Sequence, residues 1–181
     1  TIEMTKGVVD AYMVRARLYA AFGQPEKATA DFAKAIELDP KNSDVLQARA
    51  EFYSDQENWD PAIADLSKAV ELKPEQANSW YRRALVRLAM GRAEDYRKDC
   101  VEMFQRFDLT ENPGDAHWVA WACVLTPDAT ADWPKIVGLA EKAAESDSKS
   151  FAYQNTFGAV LYRAGRLDEA VRQLDQADRL A

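Results

Sequence analysis

Few residues in this chain have the type and spacing that enzyme chemistry requires. The one histidine, His117, stands alone at the start of an apolar segment, whereas acid–base catalysis needs partner groups that converge on one site. Cys100 and Cys123 lack the spacing of metal ligands, so we expect buried free thiols. No glycine-rich loop has the spacing that binds phosphates or dinucleotides. The sequence therefore predicts no catalytic residue, no metal ion and no cofactor.

The overall composition excludes other classes of function. The chain has 181 residues and a net charge of −7, which argues against nucleic acid as a partner. No apolar run reaches the roughly 20 residues needed to cross a membrane, and the start at Thr1 does not resemble a signal peptide. We expect a cytoplasmic protein without membrane insertion. Because residue 1 is not Met, we also expect the sequence to be a fragment of a longer chain.

A repeated phrase predicts the elements that position the side chains. Residues 25–42 (PEKATADFAKAIELDPKN) and 59–76 (WDPAIADLSKAVELKPEQ) are similar, and Pro40 and Pro74 lie 34 residues apart at the same phase. A repeat of this length is typical of stacked helix-turn-helix units. If Pro40 is placed at position 32 of each repeat, positions 8, 20 and 27 are alanine in the first two repeats and positions 4, 11 and 24 are large. Small residues let two antiparallel helices approach closely, and large ones fill the gaps between them.

This pattern resembles the tetratricopeptide repeat. The resemblance implies an all-α, right-handed solenoid of about five helix-turn-helix repeats, or roughly ten helices, in a single domain. The expected repeats are about 9–42, 43–76, 77–110, 115–150 and 151–181.

An arginine and an aspartate recur in phase in the first three repeats. The two residues are 16 positions apart each time, which suggests an arginine on the first helix of a repeat that bridges an aspartate on the second. We interpret these as structural ion pairs rather than ligand contacts. The pairs are Arg15/Asp31, Arg49/Asp65 and Arg83/Asp99.

The fourth repeat fits only with an offset. If it begins at Asp115, Trp118 and Trp121 occupy core positions, and two extra residues fall in the turn over 126–134. We therefore interpret Trp80, Trp118 and Trp121 as core residues, and Trp133 as a partly exposed anchor. A small-molecule site around Trp118, Trp121 and Cys123 is the weakest alternative.

The resemblance also implies a binding surface. In this family, positions 2, 5, 6, 9, 12 and 13 of each first helix face a concave groove that holds a peptide or protein segment. The fourth repeat would add the apolar set Val119, Ala120 and Cys123. Of the positions that form a carboxylate clamp in chaperone-binding members, only Arg82 matches, so that clamp is not expected. The groove residues transferred in this way are Asp10, Met13, Arg17, Asp44, Gln47, Glu51, Asn78, Tyr81, Arg82, Asn155, Tyr162 and Arg163.

The C-terminal half carries a second resemblance. Its phrases DYRKDCVEMFQRF, HWVAWACVLTPDATADW and NTFGAVLYRAGRLDEAV look like tetratricopeptide tails of large bacterial signalling proteins, including serine/threonine kinases, but no kinase signature is present. The leading hypothesis is a non-catalytic scaffold that binds a peptide of mixed charge in its groove. The alternatives are a regulatory tail that acts in cis on a kinase domain, and a self-assembly module that forms a homo-oligomer.

Overall fold

The computed structural model describes residues 2–130 and 132–181, with side chains from residue 6 onward. Thr1, which the signal-peptide prediction includes, lies outside the described residues. Within these ranges the chain forms ten helices in five pairs and no strand, which confirms the predicted all-α fold of helical repeats. The helices are α1 (Ile2–Ala21), α2 (Pro25–Leu38), α3 (Ser43–Asp55), α4 (Trp59–Leu72), α5 (Ala77–Ala89), α6 (Ala93–Phe107), α7 (Pro113–Val124), α8 (Trp133–Ser146), α9 (Phe151–Arg163) and α10 (Leu167–Asp178).

The helices group into two compact units, Thr1–Glu75 and Gln76–Ala181, called here the N-terminal and C-terminal units. In the N-terminal unit α1 pairs with α2, α3 pairs with α4, and α3 also packs against α1 and α2. In the C-terminal unit α5, α7 and α9 pack in a row, each paired with the helix that follows it. In addition, α6 packs against α7 and α8 packs against α9. Within each unit, the second helix of one repeat thus contacts the first helix of the next one.

Four of the five pairs turn through a residue in the left-handed conformation. Gly23, Gly91 and Gly165 have φ angles of 66°, 71° and 77°. Glu57 adopts the same conformation in the second pair, with φ 55°. A left-handed residue lets the chain reverse within three residues, which brings the two helices of a pair side by side.

The three in-phase ion pairs form as predicted. Each arginine lies on the first helix of a repeat and each aspartate on the second, with nitrogen–oxygen distances of 2.5–2.7 Å. The third pair is the most buried, and Arg87 joins it at 2.6 Å from Asp99. Burial raises the pKa of Asp99, and the guanidinium groups of Arg83 and Arg87 oppose this rise. Each pair therefore ties the two helices of one repeat together.

The sixth helix departs from the repeat pattern and is nevertheless fully packed. Tyr96, Cys100 and Met103 occupy positions that hold alanine, phenylalanine and alanine in the first repeat, and all three are buried. The Tyr96 hydroxyl donates a 2.5 Å hydrogen bond to the carbonyl oxygen of Ala122 in α7. Cys100 and Cys123 are buried free thiols, as predicted. The Cys100 side chain, together with burial, raises the pKa of the Cys123 thiol.

The alignment of the fourth repeat differs from the predicted one. Asn112 caps α7 by accepting hydrogen bonds from the backbone N–H groups of Gly114 (2.8 Å) and Asp115 (3.3 Å), so this repeat begins at Pro113 rather than at Asp115. The second helix begins 20 residues after the first in this pair, against 16 in the second, third and fifth pairs. The second helix therefore begins four residues later than usual, where the sequence suggested two extra residues.

Candidate functional site

The predicted groove residues of the N-terminal unit lie on α1 and α3. Four of them are exposed, and the other two, Met13 and Gln47, are half-buried. Met13 packs against the buried core of the unit, and the Asp44 carboxylate lies 3.6 Å from the Lys73 ammonium group. The exposed members are Asp10, Arg17, Asp44 and Glu51, so this face carries three carboxylates and one guanidinium group.

The predicted groove residues of the C-terminal unit lie on α5 and α9. Asn78, Tyr81 and Arg82 are half-buried on α5, and the Arg82 Nε donates a 3.2 Å hydrogen bond to the Asn78 side chain. On α9, Tyr162 is exposed and Asn155 is half-buried. Arg163 is half-buried. Its Nε already donates a 2.9 Å hydrogen bond within the chain, to the Val124 carbonyl oxygen at the end of α7.

The prediction that Val119, Ala120 and Cys123 form an apolar stretch of the groove is wrong. All three side chains are completely buried, because α7 packs against α5, α6, α8 and α9 and needs small or branched side chains on those sides. The small-molecule site imagined around Trp118, Trp121 and Cys123 fails for the same reason, since Cys123 does not reach the surface.

The corrected alignment puts three other residues of α7 at groove positions. With Pro113 as position 1, His117, Trp118 and Trp121 occupy positions 5, 6 and 9. Trp118 and Trp121 are half-buried, so their prediction as core residues is wrong, whereas Trp80 is buried as predicted. The sequence did contain a signal for this start of α7, namely the pair Asn112-Pro113. Asparagine is favoured at the N-cap of a helix and proline at its first position.

The two tryptophans of α7 join Tyr81 of α5 in one cluster. The Tyr81 and Trp118 rings stack with their centroids 4.9 Å apart and their planes 27° apart. Tyr81 also shares a side-chain hydrogen bond with Trp121, in which the indole N–H is the donor and the phenol oxygen the acceptor. Burial raises the pKa of Tyr81, and this hydrogen bond opposes the rise. We call Tyr81, Trp118 and Trp121 the aromatic face.

His117 supports the aromatic face from beneath. Its ring lies 4.8 Å from the Trp118 ring and 5.0 Å from the Tyr153 ring, centroid to centroid. The Thr156 hydroxyl donates to the Ala152 carbonyl oxygen (2.8 Å), so its oxygen is left to accept from His117 Nδ1, 3.1 Å away. Burial lowers the pKa of His117 to about 4. The imidazole is thus neutral at physiological pH, and it holds its place by the Thr156 hydrogen bond and by ring contacts with Trp118 and Tyr153.

Other classes of site find no support in the described part of the chain. No cluster of three or more histidine, cysteine, aspartate or glutamate side chains in residues 6–130 and 132–181 could hold a metal ion. No helix among the described residues is both long and apolar enough to span a membrane. The chemistry that the aromatic face offers is stacking and hydrogen bonding at a partly hydrated surface.

Comparison with known families agrees with the geometry. The family model of the tetratricopeptide repeat matches residues 19–80. Over that segment, about a third of the chain, the sequence carries the tetratricopeptide-repeat pattern. The matched segment covers α2, α3 and α4 and ends at Trp80 in α5. No curated protein is similar enough in sequence to serve as a relative.

Several solved structures share the fold at low sequence identity. PilF of Pseudomonas aeruginosa has a TM-score of 0.70 and 18% identity, over 98% of this chain and 78% of that one. YrrB, described as a tetratricopeptide-repeat protein with an unusual peptide-binding site, has a TM-score of 0.59 and 17% identity, over 99% and 89%. MamA has a TM-score of 0.59 and 18% identity, over 96% and 91%. These similarities establish the fold, and the resemblance to tails of bacterial signalling proteins stays a prediction.

Proposed function

We propose that this chain is a non-catalytic scaffold that binds a peptide or protein segment on the first helices of its repeats. The main anchor is the aromatic face of the C-terminal unit. Tetratricopeptide repeats generally serve as protein-interaction modules, and YrrB offers a peptide-binding precedent on this fold. The partner in this proposal is a polypeptide rather than nucleic acid or lipid.

The observation that carries the proposal is the partial exposure of three clustered aromatic side chains on two adjacent helices, of which Tyr81 and Trp118 stack. Packing alone would bury Trp118 and Trp121, since tryptophan offers a large apolar area. Both are instead half-buried, so part of each ring stays available to a partner, and tryptophan, tyrosine and arginine are the side chains most often found at energetic hot spots of interfaces. Arg82 and Asn78, beside Tyr81 on α5, add a cation and an amide at the edge of the rings.

The chemistry of this surface favours one kind of partner segment. An apolar or aromatic side chain, or a proline, would stack on the Trp118 and Trp121 rings. A carboxylate next to it would pair with the Arg82 guanidinium group, which presents donors in a planar fork. Asn155 on α9 could hydrogen-bond the backbone of an extended segment that continues along the row α5, α7, α9.

The N-terminal unit would add a different selectivity. Its first-helix residues Asp10, Asp44 and Glu51 are exposed carboxylates, which would attract a basic part of the same or another partner and repel an acidic one. This contribution depends on ionic strength, because exposed charges are screened by salt. Stacking on the aromatic face does not depend on ionic strength in this way.

A displayed library of random peptides tests the proposal without knowledge of the natural partner. Selection against the wild-type chain should enrich peptides that combine an aromatic residue or proline with an acidic residue. Binding of these peptides should be lost in Trp121→Ala and weakened in Arg82→Glu. Phe104→Ala is the matched control, because Phe104 is a half-buried aromatic residue of α6, beside Lys135 of α8 and outside the aromatic face.

Two results would overturn the proposal. One is a selection that enriches no peptide above background while the chain shows the helical circular dichroism of a folded protein. The other is enrichment of peptides whose affinity is the same for Trp121→Ala and for the wild type. In either case the aromatic face would not be the binding surface.

A further inference from the structure

The hydrogen-bonding groups of the aromatic face are unevenly used. The Tyr81 oxygen accepts from the Trp121 indole N–H, so its own O–H remains to donate. In the described part of the chain nothing accepts from the Tyr81 hydroxyl or from the Trp118 indole N–H. Beside them, the Asn78 side-chain oxygen already accepts from the Arg82 Nε, 3.2 Å away. The hydrogen-bonding groups that this surface leaves unused on its rings are therefore donors.

A partner that covers these donors has to supply acceptors for them. Tyr81 and Trp118 are half-buried, so water can satisfy both donors while the surface is free. A bound segment displaces that water, and a donor left without an acceptor lowers the affinity. The partner must therefore present oxygen atoms at the edges of the two rings.

Backbone conformation determines which segments present such oxygen atoms. In an α-helix the carbonyl oxygens are already bonded within the helix, and an extended strand presents an N–H donor for every carbonyl acceptor. In the polyproline II conformation the backbone has no internal hydrogen bonds, so its carbonyl oxygens are free. Proline also lacks the backbone N–H. A proline-rich segment thus brings acceptors without donors, which complements the aromatic face.

The geometry of the rings favours the same segment. The Tyr81 and Trp118 rings stack with their planes only 27° apart and form one apolar ridge across α5 and α7. Trp121 lies about one helical turn after Trp118 and extends this ridge along α7. Proline-rich segments dock on aromatic side chains of this kind, and a preformed polyproline II segment loses little conformational freedom on binding.

We propose that the segment bound on the aromatic face is proline-rich and binds in the polyproline II conformation, with its carbonyl oxygens accepting hydrogen bonds from the Trp118 indole N–H and the Tyr81 hydroxyl. This proposal rests on the proposed function, because it specifies the partner of the same surface. The prolines pack on the rings, and the carboxylate that pairs with Arg82 belongs to an acidic residue within the segment. An aromatic anchor in the partner is then not needed.

Titration of the 181-residue chain with two blocked synthetic peptides tests the proposal. Both peptides consist of prolines around one central aspartate, but one is made of L-residues and the other of D-residues. They share composition and differ only in handedness. The L-peptide should change the tryptophan fluorescence of the chain saturably, and the D-peptide should not. Equal binding of the two peptides, or binding of neither, overturns the proposal.

The two predicted hydrogen bonds provide a second readout. Tyr81→Phe removes the hydroxyl and keeps the ring, so it should weaken binding of the L-peptide roughly fivefold. Exchange of the Trp118 indole proton with water should be slower in the complex than in the free chain. Tyr53→Phe is the matched control, because Tyr53 is also half-buried but lies on α3 of the N-terminal unit, and its affinity should equal that of the wild type. An unchanged affinity in Tyr81→Phe, or unchanged exchange at Trp118, overturns the proposal.

Competition with the library-selected peptides separates this proposal from the proposed function. The L-peptide should displace selected peptides whose binding is lost in Trp121→Ala. If such peptides bind and the L-peptide does not displace them, the polyproline II partner is overturned and the proposed function stands. If Trp121→Ala binds the selected peptides like the wild type, the proposed function fails and the polyproline II partner fails with it.

Discussion

At the scale of single residues, several polar side chains are already engaged in contacts within the chain and are not available to a partner. The pairing of Arg15, Arg49 and Arg83 with aspartates was predictable, because charges at matching positions of successive repeats imply contact between the same two helices. The role of His117 was not predictable. Its neighbours Tyr153 and Thr156 lie on α9. Because these residues are more than 30 positions away in the sequence, no local pattern predicts the contact.

His117 should make the C-terminal unit less stable in acid. Its pKa in the folded state, about 4, lies below the ordinary 6.5. The unfolded chain therefore gains a proton between these pH values that the folded chain does not. The stabilisation is complete above pH 6.5 and declines as the pH falls towards 4, by about 2–3 kcal/mol in total.

Urea unfolding of the wild type and His117→Asn at several pH values measures this effect. The asparagine amide retains a donor for Thr156 but does not titrate, so the stability difference between the two proteins should shrink as the pH falls from 6.5 to 4. Other carboxylates titrate in both proteins and cancel in the difference. Parallel stability curves would show that His117 is not the group responsible.

Loss of Arg49 should weaken the second repeat and leave peptide binding intact. Arg49→Ala leaves the buried Asp65 carboxylate without its bidentate partner. Because the arginine side chain is 23% exposed and water can partly replace it, we expect a loss of about 2 kcal/mol, less than for a fully buried pair. Arg15→Ala should cost less, since its side chain is 55% exposed.

Thermal unfolding and peptide affinity of the two arginine variants check this expectation together. If Arg49→Ala melts like the wild type but no longer binds the selected peptides, Arg49 is a ligand contact and the structural interpretation is wrong.

At the scale of elements, the repeat period predicted where helices pair but not where the fourth pair begins. Alanines and tryptophans occur throughout 116–122, so two alignments placed plausible residues at the core positions. The cap at Asn112 decides between them, because its side chain satisfies the first free N–H groups of α7. With that shift of two residues, Trp118 and Trp121 leave the expected core positions and are half-buried.

Gly158 should be essential to the close approach of α9 and α10. A Cβ atom at this position would lie 2.6 Å from the Leu174 side chain and 3.2 Å from its backbone nitrogen. Gly158→Ala should therefore destabilise the C-terminal unit by about 1–2 kcal/mol, since forced overpacking exceeds the gain in helix propensity.

Gly138→Ala is the matched control in α8. A Cβ atom there meets nothing within 4 Å, so alanine should raise the free energy of unfolding by up to about 1 kcal/mol through helix propensity alone. Chemical unfolding of both variants should give changes of opposite sign. A stabilised Gly158→Ala would mean that α10 shifts at little cost.

At the scale of the whole molecule, the sequence predicted the fold because every repeat rebuilds the same local contact. Each helix mainly meets its neighbours along the chain, so a period of 34 residues carries most of the topological information. The partner could not be predicted from the repeat period. Its recognition depends on half-buried side chains, and packing does not determine which residues occupy those positions. The aromatic face could therefore not be predicted from the sequence, because its residues come from α5 and α7 and meet only where these two helices pack together.

Binding of a partner on the aromatic face can be tested directly, because the chain has five tryptophans. In a ¹H–¹⁵N spectrum each indole N–H gives its own signal, to be assigned with single tryptophan-to-phenylalanine variants. Addition of a library-selected peptide should shift the signals of Trp118 and Trp121 and leave those of Trp59, Trp80 and Trp133 in place. Shifts at Trp59 or Trp133, with the aromatic face unchanged, would contradict the account.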